Sequence, residues 1–436
     1  MAKRGYNVKL VERRPDPRKD KEEGGRSINL ALSDRGLLGL SLLEKTDEIM
    51  NLVLPMKGRL IHTGEADSLK TELQPYSGRD GEVINSVSRA GLNRLMLRSC
   101  EDYDNIEMKF SMKCLEADVK NAKAKFLNEE TGKESWEEAD MMIGTDGAYS
   151  SIRLSMQLGG VNRFNFSQNY LQHGYKEIEM RPFSGGGHRI ENDALHIWPR
   201  HGFMMIALPN LDGSFTCTLF MPYKTDVGFD SLDTKEKVNA FGHKYFPDAM
   251  KLIPDFAEQY FENPTGPLAT MRCYPWHYEG KTVIMGDAAH AIVPFYGQGM
   301  NASFEDVYYF DQLMTKYSGD SEKAFPAFSK MRKKNADAIA KLANQNYKEM
   351  RASTANPLFK QKRELEIELE KNYPEFSSKY NLVTFREDVG YATALKMGEL
   401  QDNFFLSAIE KNGGTHDGLP RTQLMEAVKR LWEGER

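Results

Sequence analysis

GDAAHAIVPFYGQGMNASFED, residues Gly286–Asp306, is the stretch from which the rest of the chain is read. KTVIM (Lys281–Met285) precedes it, a β-branched apolar run of strand length. DVYYFDQLMTKY (Asp306–Tyr317) follows it and is compatible with a helix. Strand, acid, small residues, glycine loop and helix have a mechanical reading in that order. Asp287, just past a strand end, can accept hydrogen bonds from a sugar-like hydroxyl. Gly297 and Gly299 let the backbone approach a ligand closely, and the helix start offers N–H groups to an electron-rich ring or an anion. Short glycine patterns also occur in ordinary strand–loop–helix connections, so other stretches have to support the reading.

At 436 residues the chain is long for one core, and two interleaved domains with an appendage are expected. With 40% hydrophobic and 28% charged residues it reads as a soluble globular protein. A net charge of −5 gives no reason to expect nucleic acid or an acidic membrane as partner. The four cysteines (Cys100, Cys114, Cys217, Cys273) are scattered without a CxxC pair, which favours free thiols over disulfides or a metal site. The nine histidines show no HExxH spacing either, so no metal is expected. No run of 18 apolar residues exists, and Met1–Leu10 is too short and charged for a signal peptide. These features read as cytoplasmic.

Taken in order, Tyr6–Val11 (YNVKLV) reads as a strand, and Glu12 after it is the acid a dinucleotide fold uses to hold an adenosine ribose. The first strand and its GxGxxG turn are expected about 20 residues before such an acid. The sequence starts instead with MAKRG, so it is expected to begin inside the first helix, at an internal methionine or as a fragment. In GGRSINLALSDRG (Gly24–Gly36), Ser33 or Asp34 can cap a helix starting near Arg35. Pro55–His62 and Glu72–Ser86 look like two strands joined by a polar loop, and Ser88 caps a helix over Ser88–Leu97. Met108–Phe110 reads as a short strand. Met141–Ile143 is a buried strand candidate ended by Asp146–Gly147, with Ser150 or Ser151 capping the helix that holds Arg153. Ala194–Pro222 reads as three antiparallel strands separated by PRHG and NLDGS turns, a candidate dry wall for an aromatic ligand. Helical periodicity returns over Ser321–Arg351 and Leu358–Glu370. Nowhere does a nucleophile–base constellation such as GxSxG stand out.

The opening stretch as a whole resembles the second FAD motif of the FAD-dependent aromatic hydroxylases (class A flavin monooxygenases). HAIVPFYGQGMNASFED is close to its form in the kynurenine 3-monooxygenase family, and GTDGAYSSIR (Gly144–Arg153) resembles the DG motif of flavin hydroxylases. The resemblance implies an α/β fold with a Rossmann-like FAD-binding domain of the glutathione-reductase type. That domain would span residues 1–55, 86–163 and 267–320, interleaved with an antiparallel-sheet substrate domain at 56–85 and 164–266. A C-terminal helical region would take 321–436.

It further implies FAD contacts at Glu12, Arg13, Ala31, Arg89, Cys114, Asp146, Asp287, Gly297, Gly299, Met300 and Asn301. Arg59, Tyr76, Asn346 and Tyr391 would hold the amino-acid end of L-kynurenine. A guanidinium fork and a phenol suit a carboxylate. Leu195, Met204, Leu208, Thr218, Phe220, Pro294 and Phe295 would line the ring pocket. The implied cycle has NADPH, or less readily NADH, reduce FAD; O₂ adds at C4a, and the distal oxygen goes to the carbon ortho to the amino group of kynurenine. No separate nicotinamide-binding unit is seen, and the polar C-terminus resembles that of members without a membrane anchor. Two further readings remain open: a hydroxylase of another aromatic acid, and an inactive flavoprotein fragment.

Overall fold

In the strands Ala194–Arg200, Phe203–Pro209 and Phe215–Pro222 almost every position is apolar, and pairing divides those side chains between two faces. The register sets Leu195 beside Arg59, Ile197 beside Ile206, Ile206 beside Thr218 and Met204 beside Phe220. Because side chains alternate, Arg59, Leu195, Met204, Leu208, Thr218 and Phe220 share one face of the sheet. The opposite face, with Trp198, Met205, Cys217, Leu219 and Met221, is sealed by helices Lys235–Tyr245 and Phe256–Glu262 in a core around Val238 and Phe256.

The chain is described by a computed structural model that covers residues 1–19, 29–64, 69–159, 161–352 and 357–433, the side chains of 348–352 excepted. Residues 24–28 of the stretch Gly24–Gly36, including Arg26, therefore lie outside the described part. The large sheet has seven strands in the order Gly266–Tyr274, Asn165–Met180, Phe215–Pro222, Phe203–Pro209, Ala194–Arg200, Gly58–Thr63, Lys70–Pro75. Every neighbouring pair is antiparallel except Ala194–Arg200 with Gly58–Thr63, which run parallel. That seam joins an early segment of the chain to the meander.

Glu72–Ser86 is not one strand, as its composition had predicted. Lys70–Pro75 closes the edge of the large sheet, while Ile84–Ser88 sits between Asn29–Leu32 and Val53–Met56 in a separate antiparallel sheet. Between the two lie Gly78 and Gly81, and the chain turns there: Gly81 has φ 83° and the N–H of Gly78 donates to Glu370 Oε2 at 2.9 Å. A continuous strand cannot satisfy those constraints.

Parallel pairing brings the two quoted motifs together. Met142–Gly144 runs beside Thr282–Ile284 with Gly144 opposite Ile284, so the DG and GD loops leave neighbouring strand ends. Val8–Val11 pairs in parallel with Ile106–Lys109, placing Glu12 just past a strand end as expected. Downstream the chain is helical: Ser321–Ala352, Pro357–Asn372, Lys379–Thr384, Tyr391–Lys411 and Arg421–Glu433. Their apolar faces meet Met204, Phe220 and Phe295 in one core. No helix among the described residues is long and apolar enough to cross a membrane.

Candidate functional site

Gly286 sits at φ 60°, ψ −145°, a conformation open essentially to glycine, and its N–H donates to Asp306 Oδ2 at 2.9 Å. This tight exit from the strand leaves Asp287 exposed at the first turn of a short helix, Asp287–His290. Asp306 is buried. Burial works against its charge, but His290, 2.6 Å away, and Arg332 outweigh burial and hold the carboxyl down at about 2. The helix after the glycines runs Gly299–Lys316, starting about two turns earlier than the run Asp306–Tyr317 suggested. Small residues at Ala302 and Ser303 let it begin against the loop, with the Ala302 N–H donating to Gln298 O at 2.9 Å.

Gly297 is left-handed at φ 68°, and a Cβ built there would come 3.2 Å from the Cβ of Ala31. Buried Asn301 fixes this approach: its Nδ2 donates to Ala31 O and Gly297 O, both at 2.8 Å, while its Oδ1 accepts from the Ser33 N–H at 3.0 Å. The loop thus shows bare backbone beside Ala31, which is the surface a flat ring system can approach. Met300 and Gly299 form the first turn of the helix, half-buried. These residues leave room for a bound FAD.

The DG loop lies next to it. Arg153 is buried and joins the two motifs, donating to Ala288 O at 2.8 Å and to Ala148 O at 2.6 Å. Asp146 accepts from the Ile152 N–H at 3.1 Å and from the Ser150 hydroxyl, and Ser150 caps the helix as predicted by accepting from the Arg153 N–H at 2.9 Å. Cys114 is near enough that burial first, and then Asp146, push its thiol up to about 12. Glu12 accepts from the Arg14 N–H at 2.8 Å, and exposed Arg13 pairs with Glu129 at 3.2 Å. Arg89, exposed, opens the helix Arg89–Cys100 behind its predicted cap Ser88.

On the shared sheet face, Arg59 lies with its guanidinium carbon 4.6 Å from the ring centre of Tyr380 and 5.6 Å from that of Tyr76. Tyr76 and Tyr380 stack at 5.7 Å, and Tyr296 of the glycine loop stacks on Tyr380 at 5.5 Å. Burial works against the Arg59 charge, but the phenols of Tyr380 and Tyr76 outweigh it and the net shift is upward. Burial, then Tyr380, raises the Tyr76 phenol, which keeps it a hydrogen-bond donor. Leu195, Leu208 and Ala31 pack around this group.

Beyond it Phe220 meets Phe295 at 5.1 Å, Phe295 stacks on Tyr347 at 4.0 Å, and Asn346 Nδ2 donates to Phe295 O at 2.6 Å. Met204 and Thr218 are buried in the same wall, whereas Pro294 is exposed. Tyr391 is directed elsewhere. It is fully buried, its ring lies 4.1 Å from the Arg35 guanidinium carbon, and its hydroxyl donates to Gln298 Oε1 at 2.9 Å. The tyrosine that stands over Arg59 is Tyr380, eleven residues earlier, which sequence reasoning missed. The sequence offered no signal that singled it out, since Tyr347, Tyr373, Tyr380 and Tyr391 all lie in the same helical region.

Residues 62–342 match the family model described as FAD binding domain. A kynurenine 3-monooxygenase of Myxococcus xanthus is 42% identical over 424 residues, covering 97% of this chain and 88% of that protein. One from Dictyostelium discoideum is 43% identical over 411 residues, covering 91% and 87%. Among solved structures, 2-methyl-3-hydroxypyridine-5-carboxylic acid oxygenase superposes with a TM-score of 0.63 at 17% identity, over 84% of this chain and 91% of that one. P. aeruginosa PqsL in complex with 2-aminobenzoylacetate gives 0.63 at 14% identity, over 80% and 92%. These two likenesses concern the fold alone. The relatives match along nearly the whole chain, and the strand ends carry the two flavin motifs side by side: this chain belongs to the kynurenine 3-monooxygenase family of FAD-dependent monooxygenases.

Proposed function

We propose that the chain hydroxylates L-kynurenine to 3-hydroxykynurenine with NADPH and O₂. The observation that carries this reading is the grouping of Arg59, Tyr76 and Tyr380 on the same sheet face as the apolar wall Leu195, Leu208 and Phe220. A cation with two phenols suits the carboxylate of an amino acid, and the wall suits an aromatic ring. Bound FAD, reduced by NADPH, supplies the activated oxygen. The protein's own part is positioning and exclusion of water. Arg59 takes the carboxylate with its fork, Tyr76 donates its phenolic proton to a carboxylate oxygen, and Tyr380 serves here in the role first given to Tyr391. Asn346, fixed on Phe295 O, stands at the far edge of the wall. Phe220, Phe295 and Tyr347 keep that edge dry. Glu12, Arg13, Arg89, Cys114, Asp146, Asp287 and the loop Gly297–Asn301 are proposed as the flavin side.

The domain division follows this reading: flavin side at 1–55, 86–163 and 267–320, substrate side at 56–85 and 164–266, helical region from 321. A cytoplasmic setting is part of the same proposal. Replacing Arg59 by Ala is expected to lower kcat/KM for kynurenine about a hundredfold or more, since it leaves a carboxylate without its charge partner. Kynurenine-stimulated NADPH oxidation is the measurement, and unchanged stimulation would remove the assigned clamp. A second reading, hydroxylation of another aromatic acid, draws on the same observation, because Arg59 and the phenols recognise any carboxylate. Turnover of a set of aromatic acids alongside kynurenine separates the two.

A further inference from the structure

Arg35 is fully buried and has more partners than a structural arginine needs. Its Nε donates to Val383 O at 2.6 Å, and its Nη2 donates to Leu382 O at 3.0 Å, to Arg386 O at 2.8 Å and to Val389 O. Its Nη1 pairs with Glu305 Oε1 at 2.7 Å, on the helix that follows the glycine loop. Glu305 is shared with Arg332, whose Nη1 lies 2.6 Å from Glu305 Oε2, and Arg332 also holds Asp306. One guanidinium therefore gathers four carbonyls of the segment 382–389 and ties them to the flavin-side helix.

That segment has a substrate-side residue at one end and a loop contact at the other. Tyr380, over Arg59, belongs to the helix Lys379–Thr384, whose last carbonyls Arg35 holds. Tyr391 opens the next helix, lies against Arg35, and donates its hydroxyl to Gln298 Oε1 in the glycine loop. Burial, then Glu305, raises the Tyr391 phenol, so the bond runs in that direction. Gln298 also approaches the Ser33 hydroxyl, its Nε2 at 3.4 Å.

We propose that Arg35 and Tyr391 are positioning residues that set the register between the acid-binding group, through Tyr380, and the flavin loop, through Gln298. This deepens the proposed function and rests on its reading of Gly297–Asn301 as the flavin loop. Tyr391 then acts on the cofactor side and does not touch the substrate.

Tyr391→Phe keeps the ring against Arg35 and removes only the hydroxyl. The purified variant is expected to bind FAD about tenfold more weakly by flavin fluorescence, as the loss of one buried hydrogen bond implies. It should also release more hydrogen peroxide per NADPH while its KM for kynurenine stays unchanged. Arg35→Met is expected to weaken FAD binding and raise that KM together, and Arg35→Lys should not rescue either, since an ammonium cannot span four carbonyls. A raised kynurenine KM in Tyr391→Phe with native FAD affinity overturns the proposal, as does native FAD affinity in both variants. If Arg35→Met does not fold, Tyr391→Phe decides alone. If the unaltered chain fails to turn over kynurenine, the proposed function falls, while FAD affinity still tests the register.

Discussion

Asp34 is a carboxylate in the first turn of the helix Asp34–Leu40, where burial and neighbouring acids outweigh the nearby Arg386. It borders a cavity of about 340 Å³ lined also by Leu37, Leu38, Ile49, Met50 and Glu387. Burial first, then Glu387 and Glu82, push its pKa up to about 6 from 3.8. With the folded value above the unfolded one, its contribution to stability is fully present below about pH 4 and is lost as pH rises through about 6. Asp34→Asn is therefore expected to stabilise the fold at pH 8 by roughly 1 kcal/mol, discounted for partial exposure, and to leave it nearly unchanged at pH 4. Thermal melts at the two pH values check this. At this scale pattern alone said little: Arg59 and Tyr76 are unremarkable by spacing and were reached through the family resemblance, which a guanidinium fork and a phenol suit chemically, and the two stand together over the sheet. Tyr380 and Tyr391 are the same residue type in adjoining helices, and nothing in periodicity says which ring meets Arg59 and which meets Arg35.

Among the elements, the helix Asp34–Leu40 approaches the helix Gly299–Lys316 closely through its glycines. A Cβ at Gly39 would stand 2.2 Å from Phe304 O, and one at Gly36 would stand 2.3 Å from Asn301 Oδ1. The second clash is aimed at the residue that holds Ala31 and Gly297 together. Gly36→Ala is expected to push the helix away, cost about 1–3 kcal/mol of stability, and weaken FAD binding more than its melting point alone would suggest. Flavin fluorescence titration beside a thermal melt separates the two effects. Strand and helix types were legible from composition: the meander, the DG strand and the long helix from Ser321 all stand where their periodicity put them. Boundaries were less so. Glu72–Ser86 divides between two sheets because glycines and a bond to Glu370, far along the chain, break it, and no local signal announces a partner at such a distance.

Across the whole molecule, acid pulls buried groups in opposite directions. His196 lies 2.9 Å from His62, which lies 2.9 Å from Asp248, in a chain behind the large sheet. Burial lowers His196 to about 4 from 6.5, so its contribution to stability is present above pH 6.5 and is lost as pH falls through about 4. Asp248 and Asp306, each lowered to about 2 from 3.8 as His62 and His290 outweigh burial, lose theirs between pH 4 and 2. Of these groups His196 alone opposes Asp34 between pH 6.5 and 4 and, being fully buried where Asp34 is half-buried, outweighs it; Asp248 and Asp306 add their loss only below pH 4, so the melting temperature is expected to fall gently from pH 6.5 to 4 and steeply below. A rise between pH 6 and 4 would instead make Asp34 dominant.

The parallel seam at Gly58–Thr63 and Ala194–Arg200 has a consequence for how recognition is distributed. On the proposed reading, grip on the acid end draws on positions 59, 76 and 380, whereas the ring wall is built almost wholly from one contiguous hairpin pair. During synthesis a ribosome finishes the meander, which ends at Pro222, well over a hundred residues before Tyr380 emerges. Segment exchange between relatives inherits the same asymmetry: a transplanted meander carries ring preference with it and leaves the handhold for the acid behind.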